Sequence, residues 1–126
     1  MKRLLVPLFT CLLCAAAYAA EIAPAMPGEV SGLFNDLEHS GCQFYRNGSW
    51  YSGPEARAHL QKKYDYLLDK GVLVTTEDFI DKGATESSFS GKPYQVQCPG
   101  DAQPQPSAVW LRGELQKLRG AAVKTP

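Results

Sequence analysis

Cys42, Cys98, His39, His59 and the serines at 87, 88 and 90 are the residues of this sequence whose types most readily do chemistry. His39, Cys42, His59 and Cys98 have the composition of a Cys2His2 zinc set, but "HSGC" is a lone H-x-x-C without the second paired half that zinc fingers and ribbons carry. Cys42 beside a histidine would make a thiolate nucleophile and its base. His59 with Ser87, Ser88 or Ser90 and an acid such as Asp78 or Asp81 would make a hydrolase triad, although nothing in the sequence requires these groups to meet. Downstream of residue 19 there is no H-E-x-x-H, G-x-S-x-G, Walker loop or S-x-x-K. The remaining use of Cys42 and Cys98 is a disulfide.

The N-terminus bears on that choice. "MKR" is a short cationic start, "LLVPLFTCLLCAAA" is apolar, and "AYAA" offers small residues to a peptidase, with Ala17 and Ala19 at the minus-three and minus-one positions. Residues 1–19 therefore read as an export signal cut near Ala19, which places the mature chain in the periplasm or outside the cell. Leu13 before Cys14 argues against a lipid anchor. Cleavage removes Cys11 and Cys14 and leaves Cys42 and Cys98 as an even pair in an oxidising compartment, which favours the disulfide over zinc or a catalytic thiol. Closing a loop from residue 42 to residue 98 would stabilise the fold by roughly 4 kcal/mol through the entropy of the unfolded chain.

The apolar stretch of the signal is shorter than the roughly 20 residues a membrane span needs, and no later stretch approaches that length. Without Lys2 and Arg3, 11 basic residues face 13 acidic ones, a net charge of −2. Acids and bases are interleaved, so the clustered positive charge that displaces counterions from nucleic acid is missing.

The elements that must position these groups follow from periodicity. Residues 21–28 read as a loose leader. Val30, Leu33, Phe34 and Leu37 then repeat at helical spacing, and Gly41 supplies a stop. In "CQFYRNGSWYS", Asn47-Gly48 between aromatic runs predicts a type I′ hairpin that sets Phe44 opposite Tyr51 and Tyr45 opposite Trp50. Ser52 and Glu55 form an S-x-x-E box opening a second helix with Ala56, Leu60, Tyr64 and Leu67 inward. A shorter helix starts at Thr75 with Asp78 as its box partner and ends at Gly83. "PYQVQC" alternates as a strand, "PGDAQPQP" is a proline-rich turn, and a last helix turns Ala108, Leu111, Leu115 and Leu118 inward. The expected architecture is one α+β domain over residues 29–120: a small three-stranded antiparallel sheet, the hairpin plus one later strand, packed by three to four helices and fastened by one disulfide.

The series "FYRNGSWY", "AHLQKK", "TTEDFID", "ESSFSGKPYQV" and "WLRGEL", in this order over about residues 36–118, resembles the YfeK-like family of small exported bacterial proteins. That resemblance implies an envelope address, a single compact domain and no assigned activity or cofactor. Separately, Ser90-Gly91-Lys92-Pro93-Tyr94 is similar to the S-G-x-x-Y loop of periplasmic inhibitors of C-type lysozymes. This would imply that Ser90 and Tyr94 contact lysozyme, on an all-β scaffold. The alternative for the same residues is a polar turn entering a strand.

The surface most suited to recognition is the hairpin face away from Cys42. Tyr45, Arg46 and Trp50, with Ser88, Ser90 and Lys92 of the neighbouring loop, make a candidate patch for an envelope protein or a glycan. Its rival is a Trp50 packed beneath the first helix. Two functional classes stand: a binding module without catalysis, and a small envelope hydrolase built on His59.

Overall fold

The computed structural model describes residues 3–10 and 21–124. Cys11, Cys14, Ala17 and Ala19, on which the export-signal reading turns, lie outside these residues.

The first helix, α1, runs Met26–His39 and buries Met26, Val30, Leu33, Phe34 and Leu37. It begins within the segment expected to be a loose leader, for two reasons. Pro27 sits in the first turn, where its missing N–H costs nothing. Met26 is fully buried, and Ala23 N–H donates to Val74 O at 2.8 Å, so the leader is drawn onto the body.

The strands β1 (Gln43–Arg46) and β2 (Ser49–Tyr51) form the hairpin with the expected register, Phe44 facing Tyr51 and Tyr45 facing Trp50. Asn47 and Gly48 have φ of 48° and 87°, the pair of positive values that a type I′ turn demands. The second helix, α2, runs Gly53–Asp69 and is capped by Ser52 Oγ, which accepts from Glu55 N–H at 3.4 Å. The third, α3 (Thr76–Gly83), opens on a reciprocal capping box between Thr75 and Asp78. Then come β3 (Gln95–Gln97), β4 (Gln105–Pro106) and α4 (Ser107–Lys124).

The sheet has four antiparallel strands in the order β2-β1-β3-β4, one more than the three expected. The extra strand comes from "PGDAQPQP", read from sequence as a turn. Gln105 and Pro106 pair with Val96 and Gln95. A proline has no N–H to give, so it is tolerated here because β4 is an edge.

Helices pack on one face of this sheet. Phe34, Tyr64 and Phe79 meet edge to face at centroid distances of 5.2 to 6.1 Å, joining α1, α2 and α3. Trp110 of α4 meets Phe44 of β1 at 5.6 Å. Cys42 and Cys98 form a disulfide with their Cα atoms 4.0 Å apart, immediately beyond the Gln43–Gln97 pair of β1 and β3. With both sulfurs joined, neither the zinc set nor the catalytic thiol is assembled. No helix among the described residues is long and apolar enough to cross a membrane.

Gly53 marks the tightest helix contact: a Cβ there would lie 2.5 Å from Leu37 O and 2.9 Å from Glu38 O, both backbone atoms that cannot swing away. Gly53→Ala is expected to destabilise the domain by about 1–3 kcal/mol, read as a lower urea midpoint with unchanged slope. An unchanged midpoint would mean that α1 and α2 are not in this contact.

Candidate functional site

Parity sorts the candidate residues before any contact is considered. On β1, Phe44 and Arg46 point to one side, with Cys42 just before the strand, and Gln43 and Tyr45 point to the other; on β3, Val96 joins the first set and Gln95 and Gln97 the second. Arg46 therefore faces the helices, away from Tyr45 and Trp50, and the patch expected from sequence is divided between two faces of the sheet.

On the inner side, α2 brings His59 and Lys63, one turn apart, against Arg46 and Tyr94. Arg46 Nη1 lies 2.9 Å from His59 Nδ1, and His59 Nε2 lies 3.1 Å from the Tyr94 hydroxyl. A guanidinium only donates, so Nδ1 accepts; the imidazole proton is on Nε2 and is donated to Tyr94. Lys63 Nζ donates to the same phenol at 3.2 Å and to Glu86 O at 3.1 Å, and stands 4.9 Å from the centre of the Tyr94 ring. The Arg46 guanidinium lies 4.7 Å from the centre of the Tyr51 ring.

Burial, reinforced by the charges of Arg46, Lys63 and Lys62, pushes the His59 pKa down to about 4, so the ring is neutral at pH 7. Burial also lowers the Lys63 pKa and raises that of Tyr94. Arg46, His59 and Tyr94 border a pocket lined by Tyr51, Glu55, Ala56 and Leu60 among others, with a volume of about 30 Å³. That is room for a water or two, or for the head of a larger ligand.

The serine triad is not assembled. Both ring nitrogens of His59 are engaged, by Arg46 and by Tyr94. Asp78 accepts from Val74 N–H and Thr75 N–H at the start of α3, and Asp81 pairs with Arg112. Ser87 Oγ accepts from Asn47 Nδ2–H at 3.0 Å and from the N–H groups of Phe89 and Ser90, while Ser90 Oγ–H donates to Asn47 Oδ1 at 2.5 Å. These serines fasten their loop to the hairpin turn. Gly91, with φ of 71°, lets the loop double back so that Ser87 N–H reaches Lys92 O at 2.9 Å. Ser88 and Lys92 are exposed, and Phe89 projects from the tip at 97% exposure.

On the outer side, Tyr45 and Trp50 face each other with ring centroids 5.3 Å apart and planes 60° to one another. Trp50 is 40% exposed, so it is not buried beneath α1. Gln95 lies directly across from Tyr45, and Gln43 pairs with Gln97 on the same side.

Sequence reasoning had Arg46 and His59 in separate roles and missed Lys63 and the Tyr94 hydroxyl. A signal was present: His59 and Lys63 are four residues apart on one helix face, and Arg46 shares the parity of Phe44.

Comparison with known proteins gives a family and no activity. Residues 24–119 match the model of a family of unknown function, DUF5329. The chain is 32% identical over 95 residues to the uncharacterized protein YfeK of Salmonella typhimurium, covering 75% of this chain and 77% of that protein. No solved structure matches. The chain belongs to the DUF5329 family, as its YfeK-like segments implied.

The histidine pocket makes a titration prediction. By NMR, the His59 ring should titrate with a midpoint at about 4 instead of 6.5. The unfolded chain binds the extra proton first, so this contribution to stability is complete above about pH 6.5 and is lost as pH falls toward 4. His59→Gln should flatten that part of the stability profile. A midpoint near 6.5 would contradict the Arg46–His59–Tyr94 geometry.

Proposed function

We propose that this DUF5329 member is an exported, non-catalytic binding module of the cell envelope, and that the outer face of its sheet takes a glycan. The observation that carries this reading is the Tyr45–Trp50 pair, open to water on the side of the sheet away from the helices. Rigid aromatic rings give contact area at little entropic cost and stack against the C–H faces of sugars. Around them Gln43, Gln95 and Gln97 present amides, which both donate and accept, as sugar hydroxyls require. Export is supported by the signal-like residues 1–19, and the disulfide suits an oxidising compartment.

A second reading has one observation in its favour. Phe89, almost wholly exposed on a loop held by Asn47, Ser87 and Ser90, is suited to insertion into a protein partner. The lysozyme-inhibitor likeness of the same loop gains nothing from the geometry: Ser90 is bonded to Asn47, Tyr94 is buried against α2, and the scaffold is α+β.

Expressed with its leader, the protein should be recovered from the periplasm with residues 1–19 removed. The mature protein should then be retained on envelope polysaccharide with a saturable change in Trp50 fluorescence, and Tyr45→Ala should weaken retention about tenfold without lowering Tm. Absence of retention on every envelope polysaccharide fraction would refute the glycan reading. Capture of an envelope protein that is lost in Phe89→Ala would replace it with the second.

A further inference from the structure

We propose that the pocket between α2 and the inner face of the hairpin is a carboxylate-binding site, with Arg46 and Tyr94 as the contacting groups and His59 and Lys63 holding them in position. Arg46 and Tyr94 lie on the helix side of the sheet, opposite the exposed Trp50; Tyr45 and Gln95 also line the pocket, and the site does not depend on the glycan reading.

Charge is the first argument. Arg57, Arg112, Lys117 and Arg119 each pair with a carboxylate, respectively Glu38, Asp81, Glu114, and Glu29 with Glu77. Among the described residues, no carboxylate comes within ion-pair distance of Arg46 or Lys63, although both are half-buried. Glu86 acts on Lys63 from beyond ion-pair distance, so Arg46 is the cation left without a carboxylate, and an entering anion supplies one.

Hydrogen accounting is the second. The guanidinium carries five N–H groups and gives one to His59, so the others remain. The Tyr94 oxygen accepts from both His59 and Lys63, which fills its two lone pairs and leaves its own O–H to be donated. Because Nδ1 of His59 is occupied by Arg46, the imidazole offers the pocket no acceptor. Arg46 and Tyr94 thus present donors alone, and their complement is a group that only accepts and is negative.

Size and the rim choose among anions. An accessible volume of about 30 Å³ admits one small head group and not a whole metabolite. Glu55 of α2 lines the same pocket and is exposed, so a phosphate dianion meets more repulsion there than a monoanion does. A planar carboxylate also matches the paired N–H groups of a guanidinium edge. The ligand class is therefore a molecule that ends in a carboxylate, inserted head first past Glu55.

The test is an NMR titration of the oxidised protein at pH 7 and constant ionic strength, following the ring resonances of His59 and Tyr94. Sodium propionate is expected to shift both saturably, and propionamide, of similar shape without the charge, to leave them in place. Arg46→Gln should weaken propionate binding about tenfold and Tyr94→Phe several-fold, with the His59 resonance still reporting in the second variant if the first fails to fold. A response to propionate that is linear throughout, an equal response to propionamide, or undiminished binding by both variants would overturn the site. Tighter binding of inorganic phosphate than of propionate would overturn the carboxylate assignment.

Discussion

The disulfide between Cys42 and Cys98 is the constraint on which the other features depend. Strands of two to four residues hold few ladder hydrogen bonds, and a one-residue slip in such a sheet turns every side chain to the opposite face. A covalent bond immediately beyond the Gln43–Gln97 pair forbids that slip between β1 and β3. It also removes loop-closure entropy from the unfolded chain, worth roughly 4 kcal/mol on the chain-entropy model, a large share of the stability of a small domain.

From that register two unlike surfaces follow. Phe44, Val96 and Tyr94 are held against the helices, and Arg46 is carried inward with them to meet His59. Tyr45, Trp50 and the glutamines are turned outward by the same alternation. The pocket sits where Arg46 meets His59 of α2 and the Tyr94 hydroxyl, beside the buried Leu60 and Tyr64. At the far end of the bundle, Arg119 of α4 ties Glu29 of α1 to Glu77 of α3, and Thr76 O–H donates to Glu29, so the helices are clamped away from the pocket.

Much of this layout is legible in the sequence because local chemistry and tertiary packing agree. Asn47-Gly48 specifies its turn by backbone sterics alone, and Thr75 with Asp78 closes its box within four residues. The stripes of α1 and α4 are core stripes. Illegible features depend on distant partners. Gln105 and Pro106 have no strand pattern and become β4 only because β3 offers an edge. The start of α1 is set by burial of Met26, and residues 21–28 carry no periodicity that would announce it. Arg46 looked like a surface cation because its neighbours Tyr45 and Asn47 are outward or in the turn; its bond to His59 joins residues 13 apart in sequence through the packing of α2. Ser87, Ser88 and Ser90 suggested catalysis by type, and the hydroxyls of Ser87 and Ser90 are used to dock a loop.

The separation of the two faces therefore stands on one covalent connection. Non-reducing proteolysis and mass spectrometry of the protein expressed with residues 1–19 and recovered without added reductant or oxidant tests it most directly. The predicted result is a single linked peptide pair joining Cys42 to Cys98 at full occupancy, with neither of these cysteines available to alkylation. Alkylation of Cys42 and Cys98, or a metal retained in place of the link, would contradict it and with it the assignment of inner and outer faces.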